Sequence, residues 1–282
     1  MASNNIPKVL MLHGYAQSGT ILSKRMGAVR KACKGVELVF LDAPIVLTPA
    51  DLAETFNTPE ELGASEATEE ETDPALLPRG WWKVDAERKK LTDIELSLAL
   101  LRDTLSKDHY DGVFGFSQGA GMAAFLAALL ERPHVYPDFL INGQPPHPPF
   151  KFCVSVAGFR PAGALADAVF LPSYSTPTVH VLGRNDVIVV EERSKTLLDV
   201  SSNKRIEYHD GGHFVPSKAN WRSFFRDYLR NPTGNIPSPN VNLNASQPAS
   251  GTATPVPGTS TPIAVIEGSL GVHGISVSPS RI

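Results

Sequence analysis

Gly115-Phe116-Ser117-Gln118-Gly119 constrains this chain more than any other stretch, because the residues on both sides fit one local fold. Upstream, Tyr110-Asp111-Gly112-Val113-Phe114 reads as a short buried strand. Downstream, Ala120 to Glu131 (AGMAAFLAALLE) is rich in strong helix formers. A strand, a sharp turn and a helix are the setting in which a G-x-S-x-G serine exposes its hydroxyl as a nucleophile. The turn forces unusual backbone angles on the serine. The flanking glycines leave room for strand and helix to approach closely.

A nucleophilic serine needs a base, a group that orients the base, and donors for the oxyanion. The base is read as His213, in the flexible loop Asp210-Gly211-Gly212-His213-Phe214-Val215-Pro216 between strand 204–209 and helix 218–230. Of the other seven histidines, His209 is the competitor, but it lies within the strand itself. The acid is read as Asp186, in the loop Gly183-Arg184-Asn185-Asp186 after strand 178–183. Its competing role is to cap the helix that starts near Val190. Asp210 is too close in sequence to reach the far side of the imidazole. Backbone N–H groups supply the oxyanion hole: Gln118, the residue after the serine, and Tyr15, just past the first strand's His13-Gly14 turn, with Ala16 as fallback. His13 reads as a brace for that turn rather than a proton carrier.

Several segments then line up in order with a known family. They are LMLHGYAQSG at 10–19, FLDAP at 40–44, RGWWKVD at 79–85, GVFGFSQGAGMAA at 112–124, SVAGFRP at 155–161, HVLGRNDVIV at 180–189 and HDGGHFVP at 209–216. On these the chain resembles the fungal serine hydrolases, the FSH-type α/β-hydrolases, which are themselves similar to an ovarian tumour-suppressor-candidate hydrolase of animals. The resemblance runs from about residue 6 to residue 230. It implies an α/β-hydrolase fold, a Ser117-Asp186-His213 triad and an oxyanion donor at Gln118. It also implies an ester or thioester substrate, either a small molecule or an acyl chain on a polyketide synthase carrier domain, and no cofactor or metal.

The coarse pattern agrees. Strands at 8–12, 36–41, 112–116, 152–157, 178–183 and 204–209 alternate with helices at 19–33, 92–106, 118–131, 190–200 and 218–230. Alternation of this kind predicts an α/β architecture, a mostly parallel central sheet with helices on both faces. A hydrophobic share of 42% and a charged share of 20% fit a soluble globular chain. The net charge of −3 gives no reason to expect nucleic acid or an anionic membrane as partner. Cys33 and Cys153 both sit in apolar patterns, so neither a disulfide framework nor a metal cluster is expected. The start, MASNNIPK, has no long apolar run, and the expected location is cytoplasmic.

Two stretches interrupt the alternation. The insertion 44–91 follows the second strand, gathers Glu54, Glu60, Glu61, Glu66, Glu69, Glu70, Glu71 and Asp73, and ends near Trp81-Trp82. It reads as a solvated acidic loop over the active-site mouth, with the two tryptophans either lining a substrate pocket or packing in the core. Tyr136 to Phe150, with five prolines, reads as a rigid excursion near the active-site face. A hydrolase domain over 1–230 is followed by 231–282, a segment of Pro, Ser, Thr, Gly and Asn whose composition predicts a disordered C-terminal tail.

Overall fold

The computed structural model describes residues 6–55, 73–84 and 91–240. Six strands form one parallel sheet: β1 (Lys8–Leu12), β2 (Glu37–Leu41), β7 (Gly112–Phe116), β8 (Phe152–Val156), β9 (Thr178–Gly183) and β10 (Lys204–His209). Their order across the sheet is β10-β9-β8-β7-β1-β2. Four two-residue strands make two small antiparallel ribbons: β3 (Ile45–Val46) with β4 (Arg79–Gly80), and β5 (Lys83–Val84) with β6 (Leu91–Thr92). The central strands β7 and β8 are buried at every position, as expected where helices cover both faces of a sheet.

The chain runs outward from β1 to β2, then returns to lay β7 on the other side of β1. The direction of winding therefore reverses between β1 and β7. At such a point the loops leaving neighbouring strands diverge, and a crevice opens at their carboxyl ends. Ser117 leaves β7 there, and the His13-Gly14 turn leaves β1 beside it.

Helix positions follow the sequence with instructive differences. The expected helix 19–33 is two helices, α1 (Gly19–Arg25) and α2 (Gly27–Ala32), separated at Met26, whose φ of −84° and ψ of 12° leave the helical well. Insertion residues also form α3 (Pro49–Thr55). The expected helix 92–106 is α4 (Ile94–Leu105), because Asp93 adopts a left-handed φ of 62° and Leu91-Thr92 join a ribbon instead. Helix α5 (Gln118–Glu131) is buried on all sides from Gln118 to Leu130, so its sequence is apolar throughout rather than striped. A helix not expected from the sequence, α6 (Ala164–Phe170), precedes β9, and α7 (Glu191–Leu198) follows it.

Helix α8 (Ala219–Arg230) presents Trp221, Phe224, Phe225, Tyr228 and Leu229 to the sheet. Phe225 meets Phe114 edge-on at 5.6 Å, and Tyr228 meets Phe152 at the same distance. Both cysteines are buried, and burial pushes their thiols up, Cys33 to about 11 and Cys153 to about 12. Among the described residues no helix is long and apolar enough to cross a membrane.

The Pro-rich excursion is not near the crevice. It joins the end of α5 to the start of β8, and such connections lie at the amino ends of parallel strands. There His147 Nε2 accepts from the N–H of Tyr110 at 2.9 Å, and Lys151 pairs with Asp111 at 2.6 Å. The acidic residues Glu60, Glu61, Glu66, Glu69, Glu70 and Glu71 lie outside the described residues, as do 241–282 of the expected tail.

Residues 231–240 of that tail are docked along β10. Arg205 Nη1 donates to Ile236 O at 2.8 Å, Ser238 Oγ to Glu207 Oε2 at 2.6 Å, and Asn240 Nδ2 to Tyr208 O at 2.7 Å. Pro239 is buried and Asn220 Nδ2 donates to its carbonyl at 2.6 Å. Composition alone missed this because the strap is held by polar contacts to one sheet edge, not by its own apolar content. A few such bonds with the associated burial are worth about 2 kcal/mol. A chain ending at Asn235 should therefore melt roughly 4–8 °C below one ending at Asn240. Equal melting temperatures would show that the strap contributes nothing.

Candidate active site

Ser117 occupies the turn between β7 and α5 with φ 53° and ψ −118°. A non-glycine residue held there stores about 1–3 kcal/mol of strain. The surroundings over-determine it: Ser117 N donates to Val156 O at 2.8 Å, and Ser117 O accepts from Ala120 N at 2.9 Å and Gly121 N at 3.1 Å. The two glycines of the motif are demanded by space. A Cβ on Gly115 would lie 2.1 Å from Gly119 O, and one on Gly119 would lie 2.3 Å from the carbonyl oxygens of Leu12 and His13. With this backbone the serine side chain points away from the helix axis and into the crevice.

His213 reaches it from the loop after β10. Its Nε2 stands 2.9 Å from Ser117 Oγ, and its Nδ1 stands 2.8 Å from Asp186 Oδ2. The ionised carboxylate can only accept, so Nδ1 carries the proton and Nε2 is left to accept from the serine hydroxyl. Phe116 packs against the imidazole with ring centres 4.9 Å apart. Ser117 is 9% exposed and Asp186 7%, so solvent hardly screens either residue.

The loops carrying Asp186 and His213 are stitched together. Arg184 N donates to His209 O at 2.8 Å, Asn185 N to Gly211 O at 3.1 Å, and Asn185 Nδ2 to Asp210 O at 2.7 Å. A Cβ on Gly183 would come within 2.6 Å of Gly212 O, so the close approach requires glycine there.

Asp186 divides its carboxylate between two tasks. Oδ2 faces His213, while Oδ1 accepts from the N–H groups of Ile188 at 2.9 Å and Val189 at 2.8 Å. The capping role set against catalysis in the sequence therefore takes a local form, and the cap of α7 itself is Val190. Burial alone would push the Asp186 carboxyl up; the bonds from His213 and the two backbone N–H groups outweigh it and hold the group below its ordinary value.

The competing residues stand elsewhere. The His209 imidazole is buried, accepts from Gly211 N at 3.2 Å and packs against Phe214 and Trp221. The Asp210 side chain is 88% exposed and pairs with Arg184. Asp199 caps the end of α7.

The turn after β1 lies directly against the serine: a Cβ on Gly14 would sit 3.3 Å from Ser117 Cβ. His13 braces this turn. Its Nε2 accepts from Ala43 N at 2.9 Å, which leaves the proton on Nδ1 to donate to Gly14 O at 2.7 Å. Complete burial lowers its pKa to about 4, so it holds these bonds as the neutral imidazole. Of the oxyanion donors read from the sequence, Gln118 N opens the first turn of α5, where helical N–H groups have no intrahelical acceptor. Tyr15 stands in the turn facing Ser117. Ala16, the fallback, gives its N–H to Arg79 O at 2.9 Å and is thereby occupied.

Trp81 and Trp82 are buried, at 0% and 3% exposure. Trp81 Nε1 donates to His13 O at 2.8 Å, and Trp82 meets Phe159 edge-on at 6.1 Å. Of the two readings left open by the sequence, the described contacts are those of packing residues close behind the crevice.

Two contacts went unread in the sequence. The Gln118 side chain accepts from Trp81 N and donates to Trp82 O, each at 2.8 Å, and Arg79 exchanges backbone bonds with Ala16 and Gln17. The RGWW segment and the Gln of the serine motif were both visible. No local pattern shows that they touch, because they are 37 residues apart.

A parallel sheet with this winding, and a serine, histidine and carboxylate joined in line at its carboxyl end, define an α/β-hydrolase with the geometry of a serine hydrolase. The chain's residues 1–225 match the family model described as serine hydrolase (FSH1). Among curated relatives, Esterase OVCA2 of Danio rerio is 34% identical over 236 residues, 79% of this chain and 96% of that protein. A Schizosaccharomyces pombe protein named dihydrofolate reductase is 36% identical over 229 residues, 79% of this chain but 46% of that protein. This chain thus spans less than half of the second relative. Among solved structures, acyl-protein thioesterase 2 of Zea mays aligns with a TM-score of 0.51 at 18% identity, over 81% of this chain and 94% of that one, a likeness of fold. The chain belongs to the serine hydrolase (FSH1) family.

Proposed function

We propose that this protein hydrolyses carboxylic esters and thioesters, with Ser117 as nucleophile, His213 as general base and acid, and Asp186 as the group that orients the imidazole. The observation that carries this reading is the continuous chain of hydrogen bonds, 2.9 Å and 2.8 Å, beginning at a serine held at a φ of 53°. His213 Nε2 takes the hydroxyl proton as Ser117 Oγ attacks the acyl carbon. The oxyanion is stabilised by the N–H groups of Gln118 and Tyr15. His213 then protonates the leaving alcohol or thiol, and water repeats the sequence on the acyl-enzyme. The esterase name of the Danio rerio relative supports this bond class.

We extend the reading to apolar acyl or polyketide chains carried as thioesters, including those held on a carrier protein. The residues that follow the acid and the base, Val187 and Phe214, are large, apolar and 80% and 50% exposed. Apolar surface beside the triad favours substrates with an apolar acyl part. A panel comparing long acyl thioesters with short p-nitrophenyl esters tests this. The thioesters should lead in kcat/KM by at least about tenfold, roughly 1.4 kcal/mol of transition-state binding. Equal values would mark a general carboxylesterase, and failure to label with a serine-directed fluorophosphonate would mark a binding module on this fold.

A further inference from the structure

The oxyanion-binding turn is held partly by its own bonds, Gln17 N to Gly14 O at 3.3 Å and Gly14 N to Gln17 Oε1 at 3.2 Å, and partly from outside. Ala16 has a left-handed φ of 58°, a conformation unfavourable for alanine. It is kept there from outside: Ala16 N donates to Arg79 O at 2.9 Å, and Arg79 N donates to Gln17 O at 3.0 Å. Arg79 Nη1 also donates to Ala43 O at 3.1 Å, and Ala43 N is the residue bound by His13. Every one of these outside contacts comes from the segment 79–82 or from what that segment holds.

The segment is in turn fixed to the nucleophile's own helix by one side chain. The Gln118 carboxamide oxygen accepts from Trp81 N, and its NH₂ donates to Trp82 O. A backbone N–H only donates and a carbonyl only accepts, so the amide orientation is set by its partners. Trp81 Nε1 adds a bond to His13 O at 2.8 Å, and Ser97 Oγ closes the set by donating to Trp81 O at 2.6 Å. All of these groups are buried, where an unmet polar group is costly and the network is correspondingly rigid.

We propose that the Gln118 side chain is a positioning residue for catalysis: it clasps residues 79–82 and, through them, sets the turn 13–17 against Ser117. Gln118 would then act twice, its backbone N–H on the oxyanion and its side chain on the turn that supplies the other donor. This rests on the oxyanion role given above to Gln118 and Tyr15. Donors aimed at a developing charge act in the transition state far more than in substrate binding. Loosening the turn should therefore lower kcat and spare KM.

Gln118→Ala should lower kcat about 10- to 100-fold, less than the roughly 10²- to 10³-fold for outright loss of one oxyanion donor, with KM changed less than about threefold. Gln118→Glu supplies a readout that a merely structural side chain would not move. Its ionised carboxylate accepts from Trp81 N but sets negative charge against Trp82 O. Its protonated form donates to Trp82 O as the amide does. The activity of Gln118→Glu relative to wild type, compared at each pH, should therefore rise as pH falls from 9 to 5.

A pH-independent ratio for Gln118→Glu, or a folded Gln118→Ala with kcat within about twofold of wild type, overturns the proposal. If Gln118→Ala does not fold, the ratio for Gln118→Glu decides alone. Ser117→Ala assayed in parallel separates the two levels. If it is inactive while the Gln118 variants are normal, only the positioning role falls; if it retains turnover, the oxyanion reading falls with it.

Discussion

Ser117→Ala should abolish ester hydrolysis and fluorophosphonate labelling while the protein folds and melts as before. Removing the nucleophile from a serine, histidine and acid set costs a factor on the order of 10⁴ or more in turnover. The folded state should be nearly indifferent. The hydroxyl's hydrogen bond is to His213, whereas the backbone bonds of residue 117 to Val156, Ala120 and Gly121 do not involve the side chain. Alanine also carries a Cβ, so the strain at a φ of 53° is neither added nor relieved. His213→Ala should fall as far, whereas His209→Ala should act on stability through its packing with Phe214 and Trp221. A folded Ser117→Ala with near-normal turnover would end the mechanism, because no other hydroxyl among the described contacts is joined to the His213 imidazole.

The parts of this molecule that were legible in the sequence are those whose causes are local. The turn at Ser117 needs small residues at 115 and 119 because carbonyl oxygens stand within 2.3 Å of where their Cβ atoms would be, and that need is written in five adjacent letters. The strands of the parallel sheet show as short apolar runs, and their alternation with helices foretells the layers. His213 and Asp186 follow from their places in loops after strands, since loops at that end of the sheet converge on the crevice.

What was not legible depends on contacts between distant segments. Gly27 beside Met26 weakens the helical pattern, but a lone glycine is tolerated inside helices and does not by itself announce that one helix becomes two. The strap 231–240 has the composition of a disordered segment, yet Glu207 and Arg205 on β10 meet it with matched donors and acceptors. Residues 136–150 were expected at the crevice because prolines mark loops without saying at which end of the sheet a loop lies; the connection from helix to strand decides that. Trp81 and Trp82 were readable as pocket or packing, and only the partners of their backbone and indole groups distinguish the two.

Asp186→Asn should lower turnover by roughly 10⁴ with little loss of fold, and the reason lies in the division of the carboxylate. In the variant, the amide oxygen can still accept from Ile188 N and Val189 N, so the loop 183–189 keeps its shape. The amide nitrogen then faces His213 Nδ1 with hydrogens. The imidazole must offer a lone pair there, which moves its proton to Nε2 and leaves no acceptor for the serine hydroxyl. The acid limb of stability should change as well. Because the Asp186 pKa is lowered in the folded protein, its carboxylate contributes stability that is present above the unfolded value of about 3.9 and is lost as pH falls below it. Asp186→Asn should flatten that part of the acid-unfolding curve, a change visible by circular dichroism independently of any substrate. Asp210→Asn and Asp199→Asn provide the contrast, since one side chain is 88% exposed and the other residue caps α7. If either of these variants is crippled while Asp186→Asn turns over normally, the acid has been assigned to the wrong loop, and the 2.8 Å contact with His213 serves only to hold the two loops together.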